Sequence, residues 1–232
     1  MAQSTRVSRR TLVKAGAAGA ASTALATSVP SLSGVKGVVA QDLADIPRNR
    51  TLILRWAGQA GRYVDVEQWN AFLPAPSVSH QNGLGLLFEP LAFYSAFADE
   101  WHPWLAESWE YNEDYTELRI KTREGVTWSD GTPFSAEDVA YTLNTAAELG
   151  PQIKWGTNVA VFLQEAVAED ANNVVVTFKI PAPRFFYFMT YKYDIGFPIA
   201  PKHIFEGQDW TTFNNFDIAN GVPVTTGPWQ VV

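Results

Sequence analysis

The stretch GVTWSDGTPFSAEDVAYTLN, residues 125–144, carries more structural information than any other part of this chain. Residues 125–128 are short and apolar, and they predict a β-strand. Asp130 and Gly131 follow and predict a tight turn, because glycine tolerates the positive φ that such turns need. The stretch therefore begins with a strand that runs into a turn.

The second half of the stretch predicts the start of a helix. Ser135 is a typical N-cap, and Asp138 stands three residues later, where its side chain completes a capping box. Apolar residues then recur at helical spacing. We expect the helix to run from about residue 136 to residue 149, since Gly150 and the proline after it terminate a helix.

The flanking sequence predicts two antiparallel hairpins. Residues 109–122 alternate between apolar and polar types around a polar turn, as the strands of a half-buried hairpin do. Residues 161–168 and 174–180 are a second pair of strand signals, joined by the polar residues 169–173. These elements, with the helix between the hairpins, predict an α/β chain of mixed α and β elements.

The N-terminal residues predict an export signal. Residues 8–14 resemble the twin-arginine export motif, with Arg9 and Arg10 as its arginine pair. The Ala/Gly-rich run that follows is too short and too weakly apolar to span a membrane. We therefore assign residues 1–40 to an export signal and linker, and residues 41–232 to the folded domain. The alternative is a cytosolic protein with a basic arm.

Charge and cysteine content exclude several classes of function. The chain has a net charge of −7, yet residues 1–40 hold five basic residues and no acid, so the remainder is strongly acidic. An acidic domain argues against nucleic acid as a partner, because phosphate binding needs a basic face. The absence of cysteine excludes disulfides, thiolate metal sites and an N-terminal lipid-modified cysteine.

Catalytic and metal-binding patterns are missing from the sequence. None of the three histidines, His80, His102 and His203, lies four residues from another. No paired carboxylates or nucleophile–base set stand out, so we expect no enzyme, no cofactor and no metal. The many aromatic residues fit either an aromatic-rich core or a ligand cleft lined by flat side chains.

Four segments in order resemble the family-5 solute-binding proteins, the extracytoplasmic receptors of peptide-type ABC importers. They are residues 105–109 (LAESW), 128–139 (WSDGTPFSAEDV), 201–205 (PKHIF) and 226–229 (TGPW). Thr225 departs from the pattern, since the family has glycine there. The resemblance implies a periplasmic-binding-protein fold, in which two lobes close on a ligand by hinge motion.

Length is the main departure from the resemblance, because family members are much longer than this chain. The resemblance therefore implies that the chain contains the first lobe only, truncated at the hinge, with the second lobe missing. It also implies a monomeric substrate-binding subunit that passes its ligand to an ABC permease and ATPase complex. The export motif places this subunit in the periplasm or on another extracytoplasmic face.

The first candidates for ligand contact follow the first predicted strand. Residues 51–56 predict that strand, and Ala57, Gly58 and Gln59 form the loop at its end. In the family this segment faces the cleft, where it can offer backbone groups to an extended peptide. Gly58 allows a close approach. The alternative is an ordinary loop at a strand end.

Two further candidates lie in an irregular stretch. Trp69 could stack on a ligand and Asn70 could hydrogen-bond to one, with core packing as the alternative for Trp69. By contrast, we expect a purely structural role for the signature residues, which are Asp130, Gly131, Ser135, Asp138 and Gly227. Turn, cap and helical spacing account for them without a ligand.

The resemblance implies an oligopeptide ligand, with an oligosaccharide or another small solute as the alternative. The abundance of tryptophan favours a sugar, because aromatic rings line many sugar sites. An exported enzyme is the rival interpretation. It would need paired carboxylates in a cleft or a cofactor site, and its activity would not depend on a permease.

One lobe alone should bind ligand weakly. A ligand held between two lobes takes contacts from both, and closure removes it from water. The isolated chain lacks half of these contacts, so we expect no binding at micromolar concentration by titration calorimetry. A micromolar or tighter dissociation constant would contradict this expectation.

Overall fold

The computed structural model describes residues 67–73, 87–190 and 196–229. Contacts divide the chain into two units, Met1–Leu54 and Arg55–Val232, and every described residue belongs to the second. The export segment, the predicted strand at residues 51–56 and the loop with Ala57, Gly58 and Gln59 lie outside the described residues.

The described chain contains six strands and four α-helices. The strands are β1 (Ala92–Ser95), β2 (Glu100–Pro103), β3 (Ala106–Tyr111), β4 (Glu117–Thr122), β5 (Leu163–Ala168) and β6 (Asn173–Phe178). The helices are α1 (Ala136–Leu149), α2 (Gly156–Phe162), α3 (Phe185–Met189) and α4 (Lys202–Phe205). Two short 3₁₀ helices, Gly150–Gln152 and Ile218–Asn220, complete the described elements.

Strands β3 to β6 form one antiparallel sheet in the order β3-β4-β6-β5. Alternate side chains of β4 and β6 are buried, among them Leu118, Ile120 and Val176. Helix α1 packs against the β5 and β6 part of the sheet. The two predicted hairpins are therefore confirmed. The second begins at Leu163 rather than Val161, because residues 161 and 162 complete α2.

The predicted strand at residues 125–128 is wrong. Only Thr127 makes an isolated bridge there, to Pro133. Gly125 and Gly131 have φ values of 75° and 90°, in the left-handed region that interrupts a regular strand on either side of residues 126–130. Residues 125–134 instead form a compact loop, here called the signature loop, in which the Gly131 N–H donates to the Trp128 carbonyl at 2.9 Å.

Helix α1 matches the predicted bounds, and its capping box is present. The Ser135 backbone N–H donates to Oδ2 of Asp138 at 2.9 Å, and Trp128 Nε1 donates to the same oxygen at 3.3 Å. The Lys202 backbone N–H donates to the other oxygen, Oδ1, at 2.9 Å. The buried Asp138 carboxylate therefore joins three segments: the signature loop, α1 and α4.

One turn further along α1, Thr142 continues this attachment. Its hydroxyl donates to the Asp138 carbonyl at 2.7 Å and accepts the Ala200 N–H at 3.0 Å. Thr142 is fully buried, so both hydrogen bonds are shielded from water. Residues 199–202 are thus hydrogen-bonded to α1 at two positions one helical turn apart, Asp138 and Thr142.

Asn144 of α1 protects the free edge of the sheet. Its side-chain amide donates to the Ala166 carbonyl at 2.8 Å, and its oxygen accepts the Ala166 N–H at 2.9 Å. Among the described strands β5 lies at the edge of the sheet, and an unpaired edge can pair with another chain. The asparagine takes the place of a neighbouring strand at this one residue.

Aromatic residues fill much of the main core. The Phe72 ring lies 6.1 Å from Phe197, 5.9 Å from Phe205 and 4.5 Å from Trp210 between centroids. All four side chains are buried. These four aromatic residues therefore belong to the core and do not line a ligand cleft. Trp69 belongs to a second, smaller cluster with Leu87 and others.

Replacing Asp138 with alanine should destabilise the protein by on the order of 3 kcal/mol. Three donors would lose their acceptor, and an unpaired buried donor costs about 1–3 kcal/mol before water enters. Urea unfolding followed by tryptophan fluorescence measures the change. The stability of Asp138→Asn should lie between those of wild type and Asp138→Ala, since asparagine keeps one acceptor oxygen.

Glu137→Ala is the matched control for this experiment. Glu137 is the neighbouring acid, but it is exposed, and its side chain forms an ion pair with the Lys202 ammonium at 3.0 Å. Exposed ion pairs contribute little to stability. A loss of stability in Glu137→Ala as large as in Asp138→Ala would contradict the role given to the buried carboxylate.

Candidate ligand-binding site

An open cavity of about 580 Å³ lies where the signature loop meets residues 225–229, here called the cavity loop. Its volume is in the range of small-molecule sites. Among the described residues, the lining comes from these two loops: Thr127, Trp128, Ser129, Gly131, Thr225, Thr226, Gly227, Pro228 and Trp229.

Two hydrogen bonds between Ser129 and Thr225 hold the two walls together. The Ser129 N–H donates to the Thr225 carbonyl at 2.8 Å, and the Thr225 N–H donates to Ser129 Oγ at 3.2 Å. The Gly227 N–H donates to the Leu87 carbonyl at 2.9 Å. The cavity loop is therefore attached on both sides, which fixes the position of its side chains.

The cavity lining is polar yet uncharged. None of the described lining residues has an ionisable side chain, and four of them carry hydroxyl groups: Thr127, Ser129, Thr225 and Thr226. Trp128 is 2% exposed, whereas Trp229 is 50% exposed. The lining thus combines hydroxyl groups with one accessible aromatic ring.

Thr225 is 1% exposed, and its hydroxyl has no hydrogen-bond partner within the described part of the chain. Trp69 Nε1 and Asn215 Oδ1 are the other buried side-chain atoms of this kind among the described residues. Buried polar atoms in folded proteins are nearly always paired, so each exception is a candidate for contact with something else. Thr225 alone of the three belongs to the cavity lining.

A hydrogen-bonded histidine–aspartate pair lies beside the cavity. His203 Nε2 is 2.7 Å from Oδ2 of Asp130, and the Thr132 N–H donates to Oδ1 of the same carboxylate at 2.9 Å. Partial burial acts to raise the pKa of Asp130, but the hydrogen bonds from Thr132 and His203 outweigh it, so the pKa lies below its ordinary value. The pair connects the signature loop to α4.

Asn70 and Trp69 are buried in the lobe. The Asn70 side-chain amide donates to the carbonyls of Trp210 and Phe213, both at 2.9 Å, and its Oδ1 accepts the Phe72 N–H at 3.0 Å. Trp69 is 6% exposed. This geometry favours the packing interpretation for both residues, and their contact with a ligand stays a prediction.

The sequence did not identify the cavity, for a physical reason. Ser129 and Thr225 lie 96 positions apart, and no local pattern shows that their loops meet. The one available signal was Thr225 itself, which occupies a position where the resemblance expects glycine. The signature residue Gly131 lines the cavity as well as forming the turn.

Two further findings concern the described residues only. They contain no group of three or more histidine, aspartate or glutamate side chains placed to hold a metal ion. They also contain no helix with the length and apolar character needed to cross a membrane.

The sheet and its covering helix are those of a periplasmic-binding-protein fold, represented here by a partial, single lobe. Residues 100–232 match the model of bacterial extracellular solute-binding proteins, family 5 Middle. This match extends over more than half of the chain, and the chain belongs to that family.

Two curated relatives are from Escherichia coli strain K12. The nickel-binding periplasmic protein is 27% identical over 146 residues, which cover 62% of this chain and 26% of the relative. The periplasmic oligopeptide-binding protein OppA is 27% identical over 246 aligned residues, covering 98% of this chain and 41% of the relative.

A solved structure is similar in fold as well as in sequence. It is a periplasmic oligopeptide-binding protein of an ABC transporter from Thermotoga maritima, with 30% identity and a TM-score of 0.59 over 72% of this chain and 29% of that chain. A second structure of that protein has mannohexaose bound; it is 29% identical, has a TM-score of 0.56 and shows the same coverage. The chain thus spans between a quarter and two fifths of its relatives' length.

Acid should remove the stability that Asp130 contributes. Its pKa is lower in the folded than in the unfolded protein, so its contribution is present above the unfolded pKa and is lost as pH falls through the lower folded value, below about pH 4. Asp130→Asn should therefore be less stable than wild type at pH 6, by less than about 1 kcal/mol because the pair is partly exposed.

Urea unfolding at pH 6 and at pH 3 measures this difference. The difference in the free energy of unfolding between wild type and Asp130→Asn should be smaller at the lower pH. Glu113→Gln, in an exposed turn, is the control. Its difference in stability from wild type should be the same at both pH values. A stability difference between wild type and Asp130→Asn that stays constant or grows at pH 3 would contradict the role of the Asp130 carboxylate.

Proposed function

We propose that this chain is the first lobe of a substrate-binding subunit of an ABC importer, which captures an oligomeric solute outside the cytoplasmic membrane and delivers it to the permease and ATPase. The observation that carries the proposal is the match of residues 100–232 to the family-5 receptors. Family-5 proteins bind solutes for transport, and we therefore propose no catalytic activity.

Oligopeptides are the first candidate ligand. OppA and the Thermotoga maritima relative are both named as oligopeptide-binding proteins, which supports this class. In our proposal, residues 57–59 offer backbone groups to an extended peptide, while Trp69 and Asn70 support the lobe from within. The proposed organisation keeps residues 1–40 as export signal and residues 41–232 as the lobe.

Oligosaccharides are the second candidate, and a specific observation favours them. The described residues of the cavity lining are uncharged and rich in hydroxyl groups, and the Trp229 side chain is half exposed. The Thermotoga maritima relative with bound mannohexaose adds support for this class. The two candidates share one transport role and differ only in the ligand.

Deleting the gene in the organism that makes this protein should abolish high-affinity uptake of the ligand, because an importer depends on its receptor for capture. Uptake of labelled oligopeptides and oligosaccharides at micromolar concentration measures the effect, and complementation should restore it. Replacing both Arg9 and Arg10 with lysine should prevent restoration, since twin-arginine export needs the arginine pair. A single substitution outside that pair, Arg6→Lys, is the matched control.

Unchanged uptake of every tested solute in the deletion strain would contradict the receptor role. Removal of the partner ATPase separates this role from the enzyme alternative. An importer subunit should then leave the solute intact outside the cell, whereas an exported enzyme would still convert it.

A further inference from the structure

We propose that Asn220 is a site of spontaneous deamidation, that Asp217 slows the reaction, and that conversion of Asn220 to an acid loosens the turn that leads into the cavity loop. The inference goes beyond the proposed receptor function and does not depend on it. It begins with the sequence Asn220-Gly221, which ends the short 3₁₀ helix Ile218–Asn220. Every residue of this helix is exposed.

The reaction joins an asparagine side chain to the backbone of the next residue. The Gly221 backbone nitrogen gives up its proton to solvent base and attacks Cγ of Asn220. A new N–C bond forms while the bond from Cγ to the side-chain nitrogen breaks, and ammonia leaves with the proton that solvent carried from the backbone. The cyclic imide then takes up one water molecule and opens to aspartate or isoaspartate. Glycine in the second position favours the attack, because it has no Cβ to hinder it.

Both reacting residues are open to water. Asn220 and Gly221 are exposed, and a Cβ added at Gly221 would meet no atom within 4 Å. Gly221 has a φ of 75°, a conformation that glycine adopts without steric cost. The turn is therefore accessible to the base and to the water that the reaction consumes.

Hydrogen bonds hold both reacting groups while the turn is closed. The Asn220 side-chain amide donates to Oδ2 of Asp217 at 2.7 Å. The Gly221 N–H donates to the Ile218 carbonyl at 3.1 Å. Both bonds must open for the reaction, because the backbone nitrogen loses its proton and the side-chain nitrogen leaves as ammonia. Asp217 thus slows the reaction without preventing it, since an exposed turn opens locally at little cost.

Conversion would change the charge of the segment that precedes the cavity loop. Asp217 and Val222 close the turn with two backbone hydrogen bonds, of 3.1 and 2.9 Å. A carboxylate at position 220 would replace a donor to Asp217 with a like charge, and like charges this close repel each other. Isoaspartate would also lengthen the backbone by one atom. Either product weakens the hydrogen-bonded pair that closes the turn.

Incubation of the complete chain at pH 8 tests the site, with peptide mapping by mass spectrometry to locate each converted residue. Asn220 should convert at least about tenfold faster than Asn214, which lies on the same tryptic fragment but precedes Asn215 rather than glycine. A free peptide of residues 217–222 gives the rate without the folded turn. Equal rates at Asn214 and Asn220 would contradict the proposal, and so would an Asn220 that stays intact long after the free peptide has converted completely.

Variants of Asp217 test its control of the rate. Asp217→Ala should convert at Asn220 about fivefold faster than wild type, because the side-chain amide is no longer held. Asp217→Asn keeps an acceptor without the charge, and its rate should lie between the two. Asp209→Ala is the matched control, since Asp209 accepts the Thr211 N–H at 2.9 Å in another exposed turn. An unchanged rate in Asp217→Ala, or an equal increase in Asp209→Ala, would refute the role of Asp217.

Asn220→Asp reproduces one product and tests its effect on the turn. Hydrogen exchange of the Val222 amide should be about fivefold faster than in wild type, since this N–H donates to the Asp217 carbonyl. Removing the opposing carboxylate in the double variant Asn220→Asp/Asp217→Ala should restore most of the slow exchange. Asn214→Asp, which adds the same charge at an exposed position outside the turn, is the control. Wild-type exchange in Asn220→Asp, or equally fast exchange in Asn214→Asp, would overturn the effect on the turn.

Discussion

The buried carboxylate of Asp138 is the interaction on which the rest of this lobe depends. It accepts hydrogen bonds from the signature loop, from the start of α1 and from the start of α4. The spacing of Trp128, Ser135 and Asp138 in the sequence is thus the spacing of one hydrogen-bonded unit. Since Trp128 lines the cavity, the same carboxylate also helps to position that part of the cavity lining.

The elements predicted well from the sequence are those whose causes are local. A capping box, a helix-terminating Gly150 and two hairpins with polar turns are each specified within about fifteen residues. The strand at residues 125–128 was mispredicted because apolar content outweighed the two glycines whose positive φ bends the chain. The cavity could not be predicted, because its walls meet only through contacts between residues 96 positions apart.

Buried polar side chains in this lobe connect distant segments. Asn70 holds its own segment to residues 210–213, and Thr142 holds residue 200 to α1. The side-chain groups of these two residues are hydrogen-bonded internally, which offsets the cost of removing them from water. Thr225 differs from them, because its backbone is fixed in the same way while its hydroxyl is not used.

This contrast bears on how a lobe of this kind can select a ligand. In the proposed receptor, hinge closure moves each lobe as a rigid body, so a subsite must keep its shape before the ligand arrives. The hydrogen bonds between Ser129 and Thr225 and between Gly227 and Leu87 keep the cavity walls in a fixed position. In the proposed receptor, selectivity then depends on which side chains the rigid walls present.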